Sequence, residues 1–191
     1  MQALEISQHL TVNDYLAGEP GSACRHEYLG GAVHAMAGAS EQHNLISLNL
    51  ASALRSHLRG KPCRVFMADV KVRLQIANAD IFYYPDVMVV CDPQDTERLF
   101  KRHPRVLVEV LSPETERTDR REKFLNYTQI ASLEEYVLVA QDRREAIAFR
   151  RANQWQPEVL RQAHEALRFA SLEFALPLEA VYEGVSLSAA R

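Results

Sequence analysis

Two acidic residues stand where strands should be aliphatic. Glu109 interrupts Val106-Leu107-Val108-Glu109-Val110-Leu111, and Asp86 follows Pro85 inside Tyr83-Tyr84-Pro85-Asp86-Val87-Met88-Val89-Val90. An ionised carboxylate in such surroundings is costly unless a cation or hydrogen-bond donors meet it. For either acid alone, a strand end open to water or an arginine partner is an equally good explanation. On neighbouring strands the two can instead converge on one hard divalent cation, and oxygen ligands suit Mg²⁺ or Mn²⁺. A basic group is at hand in Lys123, in the stretch that follows the Glu109 strand, with Tyr127 four residues further on and on the same helical face. An exposed Lys123 paired to Asp119 is the competing expectation from spacing.

These residues need elements to hold them. Thr11 is placed to cap a short helix that stops at Gly18 and the Glu19-Pro20-Gly21 turn. Residues 25–29 and 32–36 flank Gly30-Gly31 and predict a hairpin. Ser40 opens a helix to about Arg59, with Ile46, Leu50 and Leu54 at helical spacing and Gly60 and Pro62 as stop signals. Residues 63–74 alternate as one strand, with Phe66, Ala68, Val70, Val72 and Leu74 on one side and Asp69, Lys71 and Arg73 on a wetter one. Residues 81–90 form a second apolar run, in which Pro85 marks an edge, a bulge or the start of pairing. The density of residues 105–111 implies a strand buried on both faces. A helix over about 118–131, strands at 136–140 and 146–150, and a further strand or two with a short helix complete the chain. The order predicts one α/β domain, residues 1–191, around a mixed sheet flanked by helices.

Composition excludes several classes. The chain has 191 residues, 47% of them hydrophobic and 25% charged, with a net charge of −3, which fits a globular domain and rules out nucleic-acid binding by bulk positive charge. Cys24, Cys63 and Cys91 are odd in number and far apart, so neither a disulfide framework nor a CxxC motif is expected, and the cytoplasm is the default compartment. Neither a leader nor a membrane-spanning segment is expected. HExxH zinc hydrolysis and a GxSxG nucleophile elbow have no matching residues.

Pro85-Asp86, then 22 residues, then Glu109-Val110-Leu111-Ser112-Pro113, then Lys123 and Tyr127, resembles the Uma-two-type restriction endonuclease family within the PD-(D/E)XK nuclease superfamily. The similarity extends back through Asp69-Val70-Lys71 and His43 to Glu27, and forward through residues 133–139, so it covers roughly residues 9–182. It implies a restriction-endonuclease-like core, with the N-terminal hairpin and the C-terminal strands as additions. It also implies a metal-dependent endonuclease that hydrolyses DNA phosphodiesters by activating water. Asp86, Glu109, the carbonyl of Val110 and Glu27 would bind Mg²⁺ or Mn²⁺. Lys123 would orient the water or stabilise the transition state, and His43 would contact phosphate or water. Asp69 and Tyr127 rank lower. The superfamily places its lysine two residues after the second acid, where this chain has Leu111; Lys123 matches a migrated lysine, and Lys71 is the second choice.

Lys101, Arg102, Arg105, Arg117, Arg120 and Arg121 flank the Glu109 strand in sequence and could contact phosphates beside the metal. Acids Glu114, Glu116, Asp119 and Glu122 are interleaved with them, so a solvated mixed-charge surface is the more expected reading for most. For His43, the alternative is a histidine that caps its helix's apolar stripe. A homodimer would match the two strands of duplex DNA. The competing function is a nuclease-fold protein that binds nucleic acid or protein without cutting.

Overall fold

The computed structural model describes residues 9–113 and 115–187; Glu114 and the ends of the predicted 1–191 domain lie outside the described residues. Thr11 caps α1 (Val12–Gly18), its side chain accepting from the Asp14 N–H. Strands β1 (His26–Leu29) and β2 (Ala32–Ala35) pair as the expected hairpin. Gly30 and Gly31 both take positive φ, at 56° and 107°, as a tight two-residue turn of this hand requires. Ser40 caps α2 (Glu41–His57) by accepting from the His43 N–H.

The alternating stretch 63–74 and the apolar run 81–90 are each two strands. β3 (Arg64–Met67) and β4 (Lys71–Ile76) are separated by a kink in which Ala68 adopts φ 54°. β5 (Ala79–Tyr83) and β6 (Val87–Val90) are separated at Tyr84-Pro85-Asp86, where proline cannot donate to a ladder. The two breaks lie side by side, joined by the Ala68 N–H donating to the Asp86 carbonyl at 3.2 Å. β4 and β5 therefore enter one sheet while β3 and β6 enter another.

With β7 (Phe100–Lys101), the first sheet has the order β2-β1-β5-β4-β7. The second runs β11-β10-β9-β8-β6-β3, adding β8 (Pro104–Leu111), β9 (Glu135–Ala140), β10 (Ala146–Arg150) and β11 (Pro157–Leu160). Both are mixed, through parallel pairs β4–β7 and β8–β9. β12 (Ala166–Phe169) and β13 (Phe174–Pro177) form a small third sheet, followed by a short helix at Leu178–Val181.

The predicted helix at 118–131 starts earlier and ends sooner, in three consecutive pieces. These are α3 (Glu116–Thr118), a π-helical turn (Asp119–Lys123) and α4 (Phe124–Tyr127).

β8 is buried on both faces, as its composition demands, and its alternation divides the core. Val106, Val108 and Val110 pack with Ile46, Leu50 and Leu54 of α2. Leu107 and Leu111 pack on the other side with Val72, Tyr83, Tyr127 and Tyr136, in a core shared by both large sheets. Glu109 points into this second core. A third cluster, Tyr15, Tyr28, Phe82 and Phe100, lies on the opposite face of the first sheet, under α1.

The cysteine expectation is corrected. Cys63 and Cys91 form a disulfide across the ends of the antiparallel β3–β6 pair, whose last partners are Arg64 and Val90. Strand register brings together two residues that are 28 apart in sequence, so the inference from cysteine count to a reducing compartment falls away. Cys24 is free and exposed. Among the described residues no helix is long and apolar enough to cross a membrane.

Candidate active site

β6 and β8 are antiparallel neighbours with Val87 opposite Val108. Continuing that register by one residue sets Asp86 beside Glu109. The Asp86 N–H donates to Glu109 Oε2 at 3.4 Å, and the Val110 N–H donates to Asp86 Oδ2 at 2.7 Å. His43, one turn into α2, places Nε2 3.2 Å from the same Asp86 oxygen. The other Glu109 oxygen, Oε1, accepts from Tyr127 Oη at 2.9 Å and from Lys123 Nζ at 3.3 Å.

Glu27 arrives from the other sheet. Tyr28 pairs with Phe82 and faces α1, so Glu27 faces the shared core. Its Oε1 lies 3.0 Å from Lys123 Nζ, and Asp119 Oδ1 lies 3.1 Å from it. Three carboxylates thus surround one ammonium, which also sits over the Tyr83 ring. The predicted Asp119–Lys123 pair exists, but it is buried inside the cluster rather than exposed on a helix surface.

Four carboxylates therefore share one lysine and one histidine, and the electrostatics reflect the crowding. Burial pushes Glu109 well above the ordinary carboxylate range. Lys123 opposes this, while Asp119, Asp86 and Glu27 add to it. Burial alone would lower Lys123, but Glu109, Asp119 and Glu27 outweigh it and hold the ammonium well above its usual range. His43 is raised as well: burial disfavours its charge, and the hydrogen bond and charge of Asp86 overcome that. Tyr127 is driven up by burial and by the Glu109 charge beside its hydroxyl.

The donor set suits a hard cation. Among the described residues, buried Glu27 Oε1 and Asp119 Oδ1 meet no donor other than the shared Lys123 ammonium, and all four acids offer oxygen. Among the described residues, however, no three His, Cys, Asp or Glu side chains are already drawn into metal-ligand geometry. The Lys123 ammonium stands where three of the carboxylates point.

The structure does not bring Asp69 and Lys71 to the cluster. Asp69 is largely exposed and pairs with Arg25, away from the cluster. Lys71 is buried on the α1 face of its sheet, 4.9 Å from the Tyr84 ring centroid and 5.8 Å from that of Tyr15. The predicted alternation holds across the kink, with Phe66, Val70, Val72 and Leu74 all on one side, so Val72, not Lys71, faces the core that holds Glu109. Burial lowers the Lys71 pKa, with Glu19 partly compensating.

The basic residues before Glu109 are at the wrong end of β8 for phosphate contact beside a metal. Lys101 is buried and bonds the Asp95 and Glu97 carbonyls, while Arg102 and Arg105 flank the start of the strand. Two adjoining cavities of about 290 and 380 Å³ open at that same end, lined in part by Arg73, Arg102, His103 and Arg105. Of the later group, Arg120 pairs with Glu116 and Glu145, whereas Arg117 and Arg121 are exposed.

Asp119, which from the sequence is a partner for Lys123 or one acid of a mixed-charge surface, is a member of the cluster. The available signal was its position four residues before that lysine, combined with the prediction that Lys123 turns inward.

Mixed sheets flanked by helices, with acids at the facing ends of two central strands, define a restriction-endonuclease-like fold. A solved structure described as a "putative nuclease belonging to DUF820" from Anabaena variabilis shares that fold with a TM-score of 0.69. It is 16% identical and covers 84% of this chain and 91% of that one. The chain belongs to the Uma2 family, described as "Putative restriction endonuclease", whose model matches residues 12–180. Two uncharacterized proteins of Synechocystis sp. are similar. The protein slr1290 is 34% identical, covering 93% of each chain, and sll1609 is 31% identical over 74% of this chain and 80% of that one.

Proposed function

We propose that this chain is a divalent-metal-dependent endonuclease that hydrolyses DNA phosphodiester bonds. The observation that carries the reading is the Asp86–Glu109 pair on adjoining strands, within a cluster whose negative charge exceeds its own cations. Asp86, Glu109 and the Val110 carbonyl would hold Mg²⁺ or Mn²⁺, with Glu27 beside them. When bound, such an ion neutralises phosphate charge and makes water more acidic.

The chain's own groups supply the rest. Lys123, kept charged by its three carboxylates, offers N–H donors to the attacking water or to the equatorial phosphate oxygens. Tyr127 fixes the rotamer of Glu109 through its 2.9 Å bond. His43, whose pKa is raised by the hydrogen bond and charge of Asp86, is placed to deliver a proton to the departing oxygen. Exposed Arg117 and Arg121 would meet phosphates, and a two-fold dimer would address both strands.

The test is cleavage of plasmid DNA with Mg²⁺ or Mn²⁺ by the parent protein and by Asp86→Ala and Glu109→Ala. Cleavage lost in both variants while they stay folded supports the reading; retained cleavage in both removes it. The full occupation of Lys123 by carboxylates favours one alternative, a binding module that does not cut. That module would retain DNA binding without cleavage under any divalent ion.

A further inference from the structure

Asp119 belongs to no recognised motif of the site. Its side chain is 2% exposed, and among the described residues its Oδ1 meets no donor other than the Lys123 ammonium at 3.1 Å. A buried carboxylate oxygen in that state is stabilised only by the neighbouring positive charge. Residues four apart share a helical face, so Asp119 and Lys123, both within the π-helical turn, and then Tyr127 turn inward, while Arg121 is exposed and the Glu122 carboxylate accepts from Tyr83 Oη at 2.7 Å. Tyr136 Oη donates to the Asp119 carbonyl at 3.0 Å. The turn is therefore pinned through its backbone, and the Asp119 carboxylate plays no part in that bond.

We propose that Asp119 is a positioning residue for the hydrolysis described above: with Glu27 it draws the Lys123 ammonium away from Glu109, so that Glu109 keeps an oxygen free for a divalent cation. With three carboxylates the ammonium is shared. With two it leans on Glu109 and competes with the cation. The role rests on the proposed metal-dependent reaction, and its test separates the two.

Asp119→Asn is nearly isosteric and leaves the Tyr136 bond intact. In a crystal structure of the metal-free variant, Lys123 Nζ should leave residue 119 and close on Glu109; an ammonium in its original place overturns the role. Calorimetry with MnCl₂ gives the second arm. Asp119→Asn should weaken Mn²⁺ binding roughly three- to tenfold, a typical coupling between contacting residues. The loss should shrink or vanish in a Lys123→Met background, where there is no ammonium to position. An equal or larger loss there would show that Asp119 acts on the cation directly and would contradict the proposal. A parent protein that binds no Mn²⁺ sinks the hydrolytic reading instead, and the crystal structure alone then decides whether Asp119 positions Lys123.

Discussion

Glu109 and Glu135 sit on the parallel neighbours β8 and β9, and both are almost fully buried, at 3% and 2% exposure. Glu135 is satisfied. It accepts from Arg150 Nε at 3.3 Å, the Ala170 N–H at 2.6 Å and Ser171 Oγ at 2.8 Å, tying the small C-terminal sheet to the large one. Glu109 has a tyrosine and a shared ammonium, and it faces three further carboxylates. Burial is common to both; what differs is whether the surroundings balance the charge. A balanced buried acid contributes to folding, whereas a crowded one is kept at a cost that a bound cation would relieve.

The largest separation between them should come from truncation. Glu135→Ala leaves the Arg150 guanidinium and two other donors without their acceptor and should cost about 3–5 kcal/mol of stability, seen as a lowered Tm. Glu109→Gln should leave Tm unchanged or higher, yet lower DNA cleavage by roughly 10²–10³-fold. A Glu109→Gln protein that melts far below its parent would erase the contrast.

The pH dependence should differ as well. Because the Glu109 pKa in the folded protein lies above its ordinary value, its contribution to stability is present below the usual carboxylate range and is lost as pH climbs toward the raised value. The metal-free protein should therefore lose Tm over that interval, and Glu109→Gln should flatten the slope. Cation affinity should rise across the same interval as the proton is displaced, which calorimetry at several pH values measures.

Tyr127→Phe removes one bond to Glu109 and should cost about 1 kcal/mol, with a drop in cleavage much smaller than that of Glu109→Gln. Ser40→Ala, at the cap of the helix that carries His43, should cost about 1 kcal/mol by denaturant titration. Lys71→Met, beneath α1, should leave cleavage unchanged; a loss comparable to Lys123→Met would return Lys71 to the site.

The two large helical and hairpin signals, α2 and β1–β2, were legible because caps, periodicity and paired glycines are local. Asp86 and Glu109 were legible because a carboxylate in an aliphatic strand contradicts its neighbours. What escaped depends on contacts distant in sequence. The paired kinks at 68–70 and 84–86 split two apparent strands between sheets, and α1 covers the face of the first sheet that alternation reads as wet, so Lys71 is buried there, away from Glu109. The Cys63–Cys91 pairing follows from register. Residues 118–131 read as an ordinary helix on which Asp119 and Lys123 share a face, and that this face enters the core depends on packing against strands distant in sequence. Lys101, Arg102 and Arg105 are near Glu109 in sequence, but an extended strand carries its ends apart by about 3.3 Å per residue.

The most direct measurement is a crystal of the parent protein soaked in MnCl₂ and read by anomalous scattering. Crowded, cation-seeking carboxylates predict a Mn²⁺ peak between the side chains of Asp86 and Glu109. If no ion appears there, and Lys123 and Tyr127 still occupy Glu109, the acids are a closed structural network and the metal-dependent reading is contradicted.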